Sequence, residues 1–169
     1  MKNNDPRATT GLPHLDPKEE DKAARSAPLN ATEESAAAKT FLILVVDDSA
    51  DNVALLSLDL QHEGYKVVTA TDGEEAISVA SVTQPNLILM DISMPKLDGL
   101  GATRRIREKE ALRDVPVIAV TAFSTEGFQR AAYDVGFSGY LTKPIDFDRM
   151  HQLVAGLLAP KGSGRLIRP

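Results

Sequence analysis

Five short apolar runs recur along this chain, each followed by a stretch with helical spacing, and that alternation limits the fold more than any other feature. The runs are "FLILVV" (41–46), "KVVTA" (66–70), "NLILM" (86–90), "VPVIAV" (115–120) and "SGYLT" (138–142). The first, third and fourth are almost continuously apolar, as strands buried on both faces are; the second and fifth are mixed, as edge strands are. Parallel strands need a crossover between them, so strand–helix alternation repeated five times predicts a parallel sheet with helices on both faces.

The intervening segments carry helix signals. From about Ala50 to Glu63, Val53, Leu56 and Leu60 share a face, and Gly64 suits the C′ position. Asp72 caps the next helix, with Glu75 three residues on in a capping-box variant. Asp98–Gly99 opens a third, with Ala102 and Ile106 on one side and Arg104, Arg105 and Arg107 largely facing solvent. Ser124 or Thr125 opens a fourth that ends at Gly136, and Asp146 opens a fifth striped by Met150, Leu153, Val154 and Leu157. The expected fold class is therefore α/β: a flavodoxin-like (βα)5 doubly wound parallel sheet with strand order 2-1-3-4-5, binding its ligands at the carboxyl ends of the strands.

This pattern occupies only part of the chain. Residues 1–40 contain Met1, Leu12, Leu15 and Leu29 as their only large apolar side chains, alongside Pro6, Pro13, Pro17 and Pro28. Such a segment buries too little surface to offset its chain entropy, so it reads as a disordered N-terminal tail. Residues 160–169, "PKGSGRLIRP", read as a short basic C-terminal tail. Residues 41–159 form one domain of ordinary size. That domain has 17 acidic and 10 basic side chains, a formal charge of −7 against −5 for the whole chain. So acidic a surface argues against binding a nucleic-acid backbone. There is no cysteine, which excludes disulfides and thiolate metal sites. The N-terminus lacks an apolar signal region, and no apolar run is long enough to span a membrane, so the expected location is the cytoplasm.

The predicted strand ends carry the chemistry. Asp47 and Asp48 follow the first strand, Asp91 the third, Thr121 the fourth and Lys143 the fifth. In the order 2-1-3-4-5 the last four of these strands are neighbours, so three carboxylates, a hydroxyl and an amine converge on one rim. Carboxylates within about 5 Å repel one another by a few kcal/mol per pair at an effective dielectric of about 20. A hard divalent cation removes that penalty, and oxygen-only ligands favour magnesium, with manganese as the other candidate. Magnesium with open positions commonly serves a phosphoryl group, for which Lys143 offers an ammonium partner and Thr121 a hydroxyl donor.

The segments "VVDDSADN", "PNLILMDISMPKLDGL", "PVIAVTAF" and "GYLTKPID" resemble the receiver domain of two-component response regulators, and the resemblance runs over residues 41–158. It implies that Asp91 is the phosphoacceptor, receiving a phosphoryl group from a histidine kinase or a histidine phosphotransfer protein. It implies that Asp47, Asp48, Asp91 and the backbone carbonyl of Ser93 hold Mg2+. Thr121 would turn toward the phosphoryl group, Tyr140 would follow as the coupled aromatic by rotating into vacated space, and Lys143 would hold a phosphoryl oxygen. The Lys143–Pro144 bond matches the family's cis peptide.

The function implied is a phosphorylation-switched module that changes its binding to a downstream protein effector, with no activity beyond slow self-dephosphorylation. Only ten residues follow Ala159, too few for a DNA-binding or catalytic effector, so a stand-alone regulator is expected. The alternative within the class is the receiver part of a hybrid histidine kinase, against which Met1 and the tail before the first strand weigh. A phosphohydrolase working through an aspartyl phosphate would place its nucleophile in a "DxD" pair after the first strand, where this chain has "DDS". A flavin-binding domain would need a phosphate loop there, and "DDSADN" repels phosphate in the absence of a metal. Neither nucleotide-loop motif, "GxxxxGK[ST]" or "GxGxxG", occurs.

Overall fold

The computed structural model describes residues 40–159. The tails read from composition, at 1–40 and 160–169, lie outside the described residues except for Thr40. Within them, β1 (Leu42–Val46), α1 (Ala50–His62), β2 (Lys66–Ala70), α2 (Gly73–Thr83), β3 (Leu87–Asp91), α3 (Gly99–Glu108), a 3-10 turn (Glu110–Leu112), β4 (Val117–Thr121), α4 (Glu126–Val135), β5 (Gly139–Thr142) and α5 (Phe147–Leu158) follow in order. The sheet order is β2-β1-β3-β4-β5. Every pair is parallel, with Ile43 opposite Leu87, Ile88 opposite Val117 and Ala119 opposite Tyr140. This is the topology expected from the sequence.

Period-two alternation divides the core into two layers. Ile43 and Val45 of β1, Leu87 and Leu89 of β3, and Ile118 and Val120 of β4 face Leu56 and Leu60 of α1 and Met150 and Val154 of α5. Leu44, Val46, Ile88, Met90 and Ala119 face the other way, toward Ala76 and Ala80 of α2, Ala102 and Ile106 of α3, and Ala132 of α4. Burying each leucine- or isoleucine-sized side chain contributes about 1.5–3 kcal/mol. Small residues let the helices on the second face lie close to the sheet.

The helix boundaries follow their caps. Ser49, Asp72, Asp98 and Asp146 each accept a backbone N–H of the first turn, and Gly64 and Gly136 take left-handed φ values of 88° and 109° after α1 and α4. The fourth helix starts from Thr125 without a side-chain cap and buries only Ala132.

One expectation is corrected. Arg104 and Arg105 are exposed, but Arg107 is half-buried. Its Nε and Nη2 donate to the Gly136 carbonyl at 3.1 and 2.7 Å, and its Nη1 donates to the Val115 and Leu112 carbonyls at 2.8 and 3.3 Å. Helix periodicity sets the direction of a side chain but does not reveal that the end of α4 and the entry to β4 will leave carbonyls within its reach. The rigid fork of the guanidinium satisfies three of them at once.

Candidate functional site

The rim at the carboxyl ends of the strands is assembled by ladder register. Asp47 follows β1 directly, and its N–H extends the ladder by donating to the Ala70 carbonyl at 3.2 Å. Asp91 is the last residue of β3, opposite Val120. Thr121 ends β4 opposite Thr142, and the Lys143 N–H donates to the Thr121 carbonyl at 2.8 Å. The Lys143–Pro144 peptide bond is cis.

One carboxylate oxygen from each of Asp47, Asp48 and Asp91 lies within 4.8 Å of the other two. Asp47 and Asp91 are buried, at 1 % and 4 % exposure, while Asp48 is exposed. Lys143 Nζ stands between the two buried ones, 2.7 Å from Asp47 Oδ2 and 2.7 Å from Asp91 Oδ2. Burial is the largest single influence on this ammonium and lowers its pKa, but the hydrogen bonds and charges of Asp47 and Asp91 outweigh it, and the value stands above that of an ordinary lysine. Three carboxylates and one ammonium still leave two negative charges on the rim.

The donor set tests the expected cation. It is oxygen-only and net anionic, and among the described residues nothing donates to the Asp48 carboxylate. These residues fit a hard divalent ion such as Mg2+. Ser93, two residues beyond Asp91, is exposed on the connecting loop, and its N–H donates to Asp91 Oδ1 at 3.0 Å.

That loop, between β3 and α3, is fastened at several points. The Gly99 N–H donates to the Ile92 carbonyl at 3.0 Å, and the Gly73 N–H to the Leu97 carbonyl at 3.1 Å. Lys96, at a left-handed φ of 63°, reaches Asp72 Oδ2 at the start of α2. The Glu75 N–H and then the Lys96 ammonium hold the Asp72 carboxyl below its usual pKa.

Thr121 and Tyr140 share the α4 side of the sheet with Ala119. Thr121 is fully buried, and its Oγ1 accepts the Phe123 N–H at 3.3 Å. Tyr140 is also buried, and its hydroxyl donates to the Phe123 carbonyl at 2.8 Å. The ring expected to rotate into vacated space stands inside in this structure, with its hydroxyl on the Phe123 carbonyl. Burial, with a smaller contribution from Tyr133, raises the phenol pKa. The Phe123 ring itself stacks on Phe128 in the first turn of α4, with centroids 4.3 Å apart and planes 6° from parallel.

Two contributors to the site were not singled out in the sequence. Asn52 lies five residues after Asp47, and its amide nitrogen is 3.1 Å from each Asp47 carboxylate oxygen. Phe123 contributes mainly through its backbone, which no side-chain motif encodes. The only available signal for Asn52 was an amide at the first turn of a helix immediately after two acids.

A family model described as the response regulator receiver domain matches residues 43–155. The response regulator PleD of Caulobacter vibrioides is 41 % identical over 104 residues, covering 62 % of this chain and 23 % of PleD. The polar-differentiation response regulator DivK of Brucella ovis is 34 % identical over 119 residues, covering 70 % of this chain and 97 % of DivK. The chain thus spans about a quarter of PleD and nearly all of DivK. The receiver domain of the sensor histidine kinase PA1611 from Pseudomonas aeruginosa PAO1, solved with a magnesium ion in its active-site cleft, is 34 % identical with a TM-score of 0.66. The match covers 70 % of this chain and 98 % of that one.

Proposed function

The chain belongs to the response regulator receiver family, and on that premise we propose that Asp91 accepts a phosphoryl group from a phosphohistidine of a histidine kinase or a histidine phosphotransfer protein. As a receiver domain of two-component response regulators, it is a signalling module and not an enzyme with a turned-over substrate. The observation that carries the assignment is Lys143 Nζ at 2.7 Å from Asp91, beside two further carboxylates.

In the transfer step an Asp91 carboxylate oxygen forms a bond to phosphorus while the P–N bond of the phosphohistidine breaks. The electron pair of that bond stays with the imidazole nitrogen, which takes a proton from solvent. Lys143 offsets repulsion between the carboxylate and the incoming phosphoryl oxygens, then pairs with one of those oxygens. The Thr121 hydroxyl accepts from Phe123 and keeps its own proton, which it donates to a second oxygen. Asp48, Asp91, Asp47 and the Ser93 backbone carbonyl would hold Mg2+, with Mn2+ as a substitute; the bound ion supplies Lewis-acid neutralisation of phosphoryl charge. The response is a population shift at the face made by α4, β5 and α5, which changes binding to a downstream protein effector. The aspartyl phosphate returns to carboxylate by slow self-dephosphorylation.

Among the described residues no helix is long and apolar enough to cross a membrane. The Borrelia burgdorferi CheX–CheY complex contains beryllofluoride and magnesium, and these are the reagents for loading this site without a kinase. Incubation with acetyl phosphate and magnesium is expected to add one phosphoryl mass to the wild-type protein and none to Asp91→Asn. Equal labelling of the two would place the acceptor elsewhere.

A further inference from the structure

The Asp47 carboxylate is held differently from its two neighbours. Its Oδ1 accepts the Ser49 N–H at 2.9 Å and the Asn52 amide at 3.1 Å; its Oδ2 accepts the same amide at 3.1 Å and Lys143 Nζ at 2.7 Å. A carboxylate offers about four lone-pair directions, so these donors engage nearly all of them. Ser49 caps α1, Asn52 lies in its first turn and Lys143 follows β5, so the plane of the carboxylate is set by separate rigid elements. An acceptor-only carboxylate also fixes which end of the amide faces it, since the Asn52 oxygen would be repelled. Asp48, by contrast, is exposed and accepts from no donor among the described residues.

We propose that Asn52 is a positioning residue for the cation rim: it holds Asp47 in the orientation that gives Oδ2 to Lys143 and keeps the rim's charge in place for the metal. Among the described residues no other donor to Asp47 can take over, because the Ser49 N–H reaches only Oδ1 and Lys143 is shared with Asp91. Outer partners of this kind typically change metal affinity by about 10–100-fold when removed. The inference rests on the proposed magnesium site.

The test is calorimetric titration with magnesium chloride alone, at a temperature where each protein is fully folded by circular dichroism. Asn52→Ala and the bulkier Asn52→Leu, a better helix former, are both expected to bind magnesium about tenfold more weakly than wild type. A purely structural role would lower the melting temperature without changing this native-state affinity. In an Asp47→Asn background, Asn52→Ala is expected to change the affinity by less than about twofold, because its effect runs through Asp47. In the wild-type protein, the Asn52 side-chain amide resonances are expected to shift with the same magnesium midpoint as the Asp48 backbone amide. Wild-type affinity in both variants, an undiminished effect in the Asp47→Asn background, or amide resonances unmoved by magnesium overturns the proposal. Absent binding by the wild-type protein, or equal binding by Asp48→Ala, instead overturns the magnesium site itself.

Discussion

Thr121 and Tyr140 are bonded to opposite ends of the same residue. The Phe123 N–H donates to Thr121 Oγ1 at 3.3 Å, and the Phe123 carbonyl accepts the Tyr140 hydroxyl at 2.8 Å. The ring of Phe123 lies against Phe128 on α4. A displacement of the Thr121 hydroxyl therefore has a direct backbone route to both the aromatic of β5 and the start of α4. The helix it reaches buries only Ala132, so little packing resists its motion.

Removing either end of this link should separate phosphorylation from response. Thr121→Ala is expected to be phosphorylated by acetyl phosphate yet to show little change in amide spectra at Phe123, Phe128 and Tyr140. Tyr140→Phe keeps the ring but drops the bond to Phe123, at a cost of about 0.5–1.5 kcal/mol in stability. A wild-type spectral response in Thr121→Ala would refute the coupling role of that hydroxyl.

Arg107 is a second place where single-residue changes should separate cleanly. Arg107→Ala leaves the Gly136, Val115 and Leu112 carbonyls without their shared donor and is expected to destabilise the domain by about 2–3 kcal/mol. Arg107→Lys is expected to recover less than half of that, because a single ammonium does not reproduce the guanidinium fork. Exposed Arg104→Ala should stay within about 0.5 kcal/mol of wild type. Guanidinium chloride melts of the three variants check the ranking.

Alkaline pH should weaken the fold at Lys143 and Tyr140. The pKa values of Lys143 and Tyr140 are both raised above their ordinary values of 10.5 and 10.0. Their protonated forms therefore stabilise the native state fully below about pH 10, and this contribution is lost as pH rises through the raised native-state values. Chemical denaturation is expected to show a plateau from about pH 7 to 9.5 and a decline above it. Tyrosine absorbance should show a late-titrating phenol, and Tyr140→Phe should remove that late step.

The alternation of apolar runs and caps was enough to read the topology, because strands covered on both faces leave an unmistakable run of Val, Ile and Leu. Asp47, Asp48, Asp91, Thr121 and Lys143 were legible as a group because each stands at the carboxyl end of such a run, and parallel order brings those ends together. Asn52 and Arg107 were not, since polar side chains on helices acquire their roles from partners 5 to 29 residues away that only packing supplies. The buried position of Tyr140 was likewise invisible, because it depends on a carbonyl in the loop before α4. Backbone groups carry no residue signature.

Two glycines make opposite predictions. At Gly99 an added Cβ would lie 2.2 Å from the Asp91 carbonyl oxygen and 2.9 Å from Ile92 Cα. Both neighbours are backbone, and both adjoin the proposed phosphoacceptor, so relief requires moving either α3 or the end of β3. Gly99→Ala is expected to cost about 1–3 kcal/mol through overpacking, and to slow phosphorylation by acetyl phosphate at temperatures where the protein remains folded. At Gly127, inside α4, an added Cβ meets nothing within 4 Å. Gly127→Ala is expected to stabilise the domain by about 0.4–1 kcal/mol, through lower unfolded-chain entropy and better helix propensity. It should leave the rate of phosphorylation unchanged, because α4 contributes no side chain to the rim. If Gly99→Ala matches wild type in both melting temperature and labelling rate, the close approach of α3 to Asp91 does not constrain the site.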